Sequence, residues 1–173
     1  MKHPVIGFIS SSPPSDRKAS SGTAHAIAQQ LKGMGTLYWI PAPRSRYYRI
    51  MELVAKVLSR LFRKNISFGN TTLGAKTLAS GIKSDLFDKC DILVAFFTGS
   101  KLGYVDLKGK PLIYLSDATF SAMINYYPPF CRLWKWNIHQ GIVLEKKAMD
   151  KSNAIVLSSK WSADSAVCDL KQS

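Results

Sequence analysis

Three polar side chains follow an apolar run in the second half of the sequence. The run Pro111–Leu115 is rich in strand-forming residues; Ser116 and Asp117 come directly after it, and Thr119 follows two residues later. A carboxylate in this position can accept hydrogen bonds from sugar hydroxyls, or act as a general base where its pKa is raised. It can also cap the helix that follows, because its oxygens accept backbone N–H groups. The two roles are compatible, and Asp117 is the candidate catalytic residue.

A second candidate segment, Ser20–Thr23, ends a loop rich in serine and proline and opens a helical pattern. The free N–H groups of that helix end would face a ligand, and Gly22 would allow close approach to the backbone. The alternative is that Ser21 or Thr23 only caps the helix. The loop carries neither the glycine fingerprint of dinucleotide-binding folds nor a P-loop motif, so neither kind of nucleotide site is predicted.

A third pair of polar residues, Ser159 and Lys160, follows the apolar run Ala154–Leu157. In a parallel sheet the carboxyl ends of all strands meet at one edge, and ligands bind there, where the strand order reverses. We therefore expect the three candidate segments to lie along a single rim.

Apolar runs alternate with helical patterns along the whole chain. The predicted strands are Pro4–Ser10, Thr36–Pro41, Asp91–Gly99, Pro111–Asp117 and Asn153–Ser159. Runs that are apolar throughout are typical of strands covered on both faces of a parallel sheet. The sequence predicts an α/β fold, a Rossmann-like three-layer α/β/α sandwich with a mostly parallel sheet, forming one domain over residues 1–173.

A basic amphipathic helix is predicted between Arg44 and Lys64. Its apolar residues recur at helical spacing and form what we call the apolar stripe: Ile50, Leu53, Val54, Val57, Leu58 and Leu61. Around it stand the candidate membrane- or anion-binding residues Arg44, Arg46, Arg49, Arg60, Arg63 and Lys64. Such a helix packs on a sheet or lies in an anionic membrane interface. We expect the stripe to pack in the core and the basic residues to face lipid phosphates.

The charge of the chain indicates an anionic partner. Lys and Arg total 24 against 11 Asp and Glu, a net charge of +13. Nucleic acid, an acidic membrane surface and phosphorylated small molecules all fit, as does a basic surface that serves only solubility.

No apolar run reaches the roughly 18 residues of a membrane span. The three cysteines are widely spaced and predict neither a disulfide framework nor a zinc site, so we expect a cytoplasmic protein.

Three segments, in this order, resemble the N-terminal domain of retaining GT-B glycosyltransferases of the family 4 type: Gly7–Thr23, Lys110–Pro128 and Leu144–Val167. The resemblance spans nearly the whole chain, and the last two segments are its most specific part. It implies two facing Rossmann-like domains with the active site between them. The N-terminal half would bind the acceptor, and the C-terminal half the nucleotide-sugar, through a paired-glutamate motif. This sequence ends where that second domain would start.

The resemblance also implies roles for individual residues. The Ser21–Gly22 loop would approach the donor phosphates and the transferred sugar. Ser116 and Asp117 stand where the family commonly carries a histidine, and Asp117 is expected to contact the sugar. Ser159–Lys160 would border the cleft. The candidate acceptor- and donor-binding residues are Ser21, Gly22, Thr23, Ser116, Asp117, Thr119, Ser159 and Lys160. No cofactor and no metal ion are expected, because such enzymes are generally independent of metal.

The expected function is the acceptor-binding part of a hexosyltransferase that moves a sugar from a nucleotide-sugar to a glycan or lipid-linked acceptor, in polysaccharide or glycolipid synthesis. The chain alone would be inactive, and the enzyme would be cytoplasmic or peripheral on the inner membrane face. The alternative is a non-catalytic basic module that binds anionic membrane or nucleic acid. Nucleic acid is disfavoured, because no RRM, KH or helix-turn-helix signature is present. An oxidoreductase would need the missing glycine fingerprint.

Overall fold

A computed structural model describes residues 3–172 and contains a five-stranded parallel sheet. The strands are β1 (Val5–Ser10), β2 (Thr36–Pro41), β3 (Ile92–Phe96), β4 (Leu112–Ser116) and β5 (Ala154–Leu157). Their order across the sheet is β2-β1-β3-β4-β5, and every neighbouring pair is parallel. The strand order therefore reverses between β1 and β3. The predicted α/β, Rossmann-like fold is confirmed.

Residues 3–172 form six α-helices, five between strands and the last one after β5, and several are preceded by short 3-10 turns. They are α1 (Thr23–Met34), α2 (Arg46–Phe62), α3 (Thr72–Ala79), α4 (Phe120–Met123), α5 (Lys135–Asp150) and α6 (Lys160–Cys168). Four begin at a hydroxyl residue whose side chain accepts a backbone N–H of the first turn: Ser45, Thr71, Thr119 and Ser159. Local capping chemistry thus fixes where these helices start.

The sheet separates two apolar clusters, which gives the molecule three layers. On one face Phe8, Val94 and Phe96 pack with Ala24 of α1. The other face packs against α3, α5 and α6 and includes Ile9, Leu93, Ala95, Leu112, Tyr114, Ala79, Ala148, Met149 and Ala166. The prediction that every strand is covered on both faces is wrong for β5. This strand lies at the sheet edge beyond the reach of α1, and its Val156 is 47% exposed.

Helix α2 buries a different face from the one predicted. Tyr48 and Ala55 point inward and pack with Phe68 and Leu78. The residues of the apolar stripe are between 37% and 71% exposed, so the prediction that the stripe packs in the core is wrong. The partly buried Met51 lies between Tyr48 and Ala55 in the same cluster, so the inward face follows spacings of three and four residues. Helical periodicity identifies an apolar face but not the surface that covers it.

The loop after β1 reaches α1 through three consecutive left-handed residues. Ser20, Ser21 and Gly22 have φ values of 50°, 54° and 82°. Gly22 occupies the N-cap position of α1, and no side chain of the described residues caps that helix. The alternative that Ser21 or Thr23 caps α1 is therefore wrong. Glycine adopts such a conformation without steric cost, whereas the two serines adopt it at some cost in strain.

One glycine of α5 permits the close packing of α4. A Cβ atom on Gly141 would overlap the ring of Phe120, which is fully buried. We expect Gly141→Ala to lower the free energy of unfolding by about 1–3 kcal/mol, because the ring must leave its position. Urea denaturation measures the change.

The matched control is Gly33→Ala in α1, where a Cβ would meet no heavy atom of residues 3–172 within 4 Å. This substitution should raise the free energy of unfolding by about 0.5–1 kcal/mol, since alanine restricts the unfolded chain. Equal stability of Gly141→Ala and the wild type would contradict the packing described here.

Candidate functional site

A cleft of about 710 Å³ opens at the carboxyl ends of β1, β3 and β4. Its lining includes Ser11 after β1, Thr98 after β3 and Asp117 after β4. Helix α2 forms one wall, and Phe130 and the Glu145 side chain of α5 also line the cleft. The cleft thus lies where the strand order reverses, which is the usual ligand position in open parallel sheets.

Asp117 combines a fixed backbone with a free side chain. Its carbonyl oxygen accepts hydrogen bonds from the hydroxyls of Ser158, at 3.0 Å, and Ser162, at 2.6 Å. Its side chain does not cap α4; Thr119 fills that position and accepts the Ala122 N–H at 3.0 Å. The carboxylate is exposed and forms no ion pair among residues 3–172. It is therefore available to a ligand in the cleft.

The other predicted binding residues differ from Asp117 in their position or in their hydrogen bonds. Ser116 lines the cleft, and its hydroxyl donates to the carbonyl of Ala118. Thr119 is fully buried, and its hydroxyl is hydrogen-bonded to that of Ser165 on α6 at 2.7 Å. Its side chain serves packing rather than the cleft. Five other candidates do not line the cleft within residues 3–172: Ser21, Gly22, Thr23, Ser159 and Lys160.

Two of those residues have structural partners on α6. Ser159 caps the helix by accepting the Ser162 N–H at 3.2 Å. The Lys160 ammonium lies 2.8 Å from the Asp164 carboxylate, one turn further along the helix. Both follow β5, as predicted, but this strand lies at the sheet edge, away from the reversal of strand order.

Basic residues from α2 and the segment before it form one wall of the cleft. The basic wall consists of Arg44, Lys56 and Arg60. Glu52 lies 3.6 Å from the Arg44 guanidinium and 3.8 Å from the Lys56 ammonium. Arg60 forms no ion pair within the described part of the chain. Within residues 3–172, the other predicted anion-binding residues do not line the cleft: Arg46, Arg49, Arg63 and Lys64. The wall carries a net positive charge that attracts anions.

A buried glutamate, which sequence reasoning gave no role, supports the loop that carries Asp117. Glu145 of α5 is 4% exposed and accepts the Tyr114 hydroxyl at 3.0 Å and the Phe120 N–H at 2.6 Å. Burial raises the pKa of Glu145 from 4.5 to about 7, although the two hydrogen bonds oppose the shift. The side chain joins α5 to the end of β4 and the start of α4. The only sequence signal is a carboxylate between the apolar residues Leu144 and Ala148.

A buried lysine lines the cleft in the segment that follows β3. Lys101 is 5% exposed, and its Nζ donates to the Ser11 hydroxyl at 3.3 Å. Burial lowers the pKa of Lys101 from 10.5 to about 8, and the positive charge of Arg44 adds to the effect. No pattern in the sequence marks this lysine, because its burial depends on segments far away along the chain.

An aromatic ring stands in the same part of the cleft. Phe97, which follows β3 directly, has a φ of 49° and is 37% exposed. Its ring stacks on Phe96 at a centroid distance of 3.9 Å. A left-handed phenylalanine is strained, and such strain is concentrated at functional sites.

The arrangement suits a ligand that carries both hydroxyl and anionic groups. Asp117 offers hydrogen-bond acceptors, Phe97 an apolar ring, and the basic wall positive charge. Within residues 3–172, no three His, Cys, Asp or Glu side chains are grouped as metal ligands would be. Asp117 and the basic wall can provide acid–base and electrostatic chemistry.

Comparisons with known proteins do not place the chain in a family. A scan against protein-family models, a search of curated proteins and a search of solved structures each returned no match. The resemblance to GT-B glycosyltransferases thus gains no support from them and stays a prediction.

The raised pKa of Glu145 makes stability depend on pH. The folded protein holds this proton more tightly than the unfolded chain, so the stabilisation is complete below pH 4.5 and is lost as the pH rises through about 7. The loss amounts to about 3 kcal/mol at most. We expect Glu145→Gln, which never ionises, to remove this slope in urea denaturation measured between about pH 5 and pH 7.5.

Glu52→Gln is the control, since it replaces the other glutamate of the sequence and leaves Glu145 in place. The stability of the Glu52→Gln variant should depend on pH as that of the wild type does. A Glu145→Gln variant whose stability changes with pH as steeply as that of the wild type would contradict the assignment.

Proposed function

We propose that this chain is the acceptor-side domain of a retaining glycosyltransferase, which transfers a sugar from a nucleotide-sugar to a glycan or lipid-linked acceptor. The sequence resemblance suggests the class. The observation that carries the proposal is the meeting, in one cleft, of the free Asp117 carboxylate, the exposed Phe97 ring and the basic wall.

Each of these groups has a role that sugar transfer requires. Asp117 accepts hydrogen bonds from sugar hydroxyls and is positioned by its backbone rather than by its side chain. The Phe97 ring gives an apolar surface for the C–H face of a sugar ring. The basic wall stabilises the negative charge of a phosphate leaving group. In this proposal a second domain, outside this sequence, faces the open side of the cleft and binds the nucleotide.

Transfer activity tests the proposal directly. The full-length protein is incubated with membranes and a panel of labelled nucleotide-sugars, and label is measured in the lipid and glycan fractions. We expect Asp117→Asn to lower transfer by about a hundredfold or more, because the neutral amide is a weaker acceptor and no base. The fold should persist, since the Asp117 side chain is exposed.

Asp164→Asn is the matched control: this carboxylate is also exposed, but it lies on α6 and pairs with Lys160. It should leave transfer unchanged. The absence of transfer by the wild-type protein to any lipid or glycan, across the whole donor panel, would overturn the proposal.

The outer face of α2 favours a second candidate function, peripheral binding to an anionic membrane. Its apolar stripe is exposed beside Arg46, Arg49, Lys56 and Arg60, which are exposed as well. An amphipathic helix with this composition binds in the headgroup region of a bilayer through apolar burial and attraction to anionic lipids. Within residues 3–172, no helix is both long and apolar enough to cross a membrane.

Vesicle co-sedimentation tests this role. We expect the protein to bind vesicles that contain phosphatidylglycerol, and Val57→Glu to weaken binding about tenfold or more, because a charge replaces an inserted apolar group. Val167→Glu on α6 is the matched control, since Val57 is 58% exposed and Val167 57%. Equal loss in both variants, or no binding by the wild type, would exclude membrane docking through α2.

A further inference from the structure

The buried ammonium of Lys101 lacks a counter-ion in the structure. None of the ion pairs among residues 3–172 includes Lys101. Its single hydrogen bond within that range runs to the neutral Ser11 hydroxyl at 3.3 Å, although an ammonium has three N–H donors. Lys101 lines the cleft and is only 5% exposed, so its other two donors have no acceptor among the described residues.

A buried charge without a partner is unfavourable, and proteins usually pair it or place it where a ligand does so. Arg44 increases the imbalance, because its positive charge lies close enough to lower the pKa of Lys101 further. The two cations reach the cleft from different elements, one from before α2 and one from after β3. An anion close to both would offset their mutual repulsion.

The neighbouring residues add hydrogen-bonding capacity rather than negative charge. Thr98 also lines the cleft, and its buried hydroxyl has no partner among the described residues. The Ser11 hydroxyl accepts from Lys101 and keeps its own proton free to donate. The acidic Glu52 is already shared between Arg44 and Lys56, at 3.6 and 3.8 Å.

We propose that Lys101 and Arg44, together with the Ser11 hydroxyl, bind a phosphate group of the ligand that enters the cleft. A phosphate presents several acceptor oxygens and up to two negative charges, which match two cations and a hydroxyl. The inference rests on the proposed function only in taking the cleft as the ligand site. The phosphate belongs either to a nucleotide or to a phosphorylated acceptor such as a lipid headgroup.

Calorimetric titration of the 173-residue chain at constant ionic strength tests the site, with inorganic phosphate, uridine diphosphate and glycerol 3-phosphate as probes. We expect the wild type to bind phosphate, and Lys101→Met, which keeps the buried apolar stem, to bind about tenfold more weakly or worse. Tighter binding of uridine diphosphate than of glycerol 3-phosphate assigns the site to a nucleotide, and the reverse order assigns it to an acceptor headgroup. Either result supports a phosphate site.

Lys32→Met is the matched control, because Lys32 is exposed on α1 and outside the described lining of the cleft. It should bind phosphate as the wild type does. Arg44→Gln, at a side chain 58% exposed, is a second variant that leaves the core untouched and should also weaken binding. Circular dichroism confirms that each variant is folded.

Equal weakening in Lys101→Met and Lys32→Met would show diffuse attraction by net charge and would overturn the site. So would the absence of phosphate binding by the wild type. Phosphate binding in a protein that transfers no sugar would leave this inference standing and overturn the proposed function. Undiminished sugar transfer and phosphate binding in Lys101→Met would overturn this inference alone.

Discussion

The carboxyl group of Glu145 connects helix α5 to the part of the sheet from which the cleft is built. It accepts the Tyr114 hydroxyl of β4 and the Phe120 N–H at the start of α4. These donors are buried, so removing the acceptor would leave both without a partner, at a cost of about 1–3 kcal/mol each. The segment between them carries Ser116 and Asp117. The position of the candidate catalytic carboxylate therefore depends on a side chain that lies far from it in sequence.

Three unfavourable features of different kinds lie close together in the segment after β3. Phe97 has a left-handed backbone, the Thr98 hydroxyl has no partner among the described residues, and Lys101 is buried without a counter-ion. Local violations that the rest of a fold tolerates are typical of binding sites. The same residues lie where the strand order reverses, so topology and local strain indicate the same cleft.

The sequence alone was sufficient to predict the sheet, and it contains the residues at which several helices start. Strand β3 is apolar along its whole length and β1 up to Ser10, which is typical of covered parallel strands, and the residues that cap α3 and α6, Thr71 and Ser159, are of types that favour helix starts. It was insufficient where burial depends on distant partners. The apolar stripe of α2 has the right spacing for a core face, yet Tyr48 and Ala55 occupy the core. The buried positions of Lys101 and Glu145 depend on Ser11 and Tyr114, which no local pattern reveals.

Two sides of helix α2 face different surroundings. One side supplies Lys56 and Arg60 to the cleft, and another exposes the apolar stripe. An α-helix with its side chains is about 10–12 Å across, so anything that covers the stripe lies within that distance of the cleft. A bilayer or protein bound there would set the direction from which molecules reach the cleft. Occupancy of the outer surface of α2 would therefore leave fewer directions from which a ligand can enter the cleft.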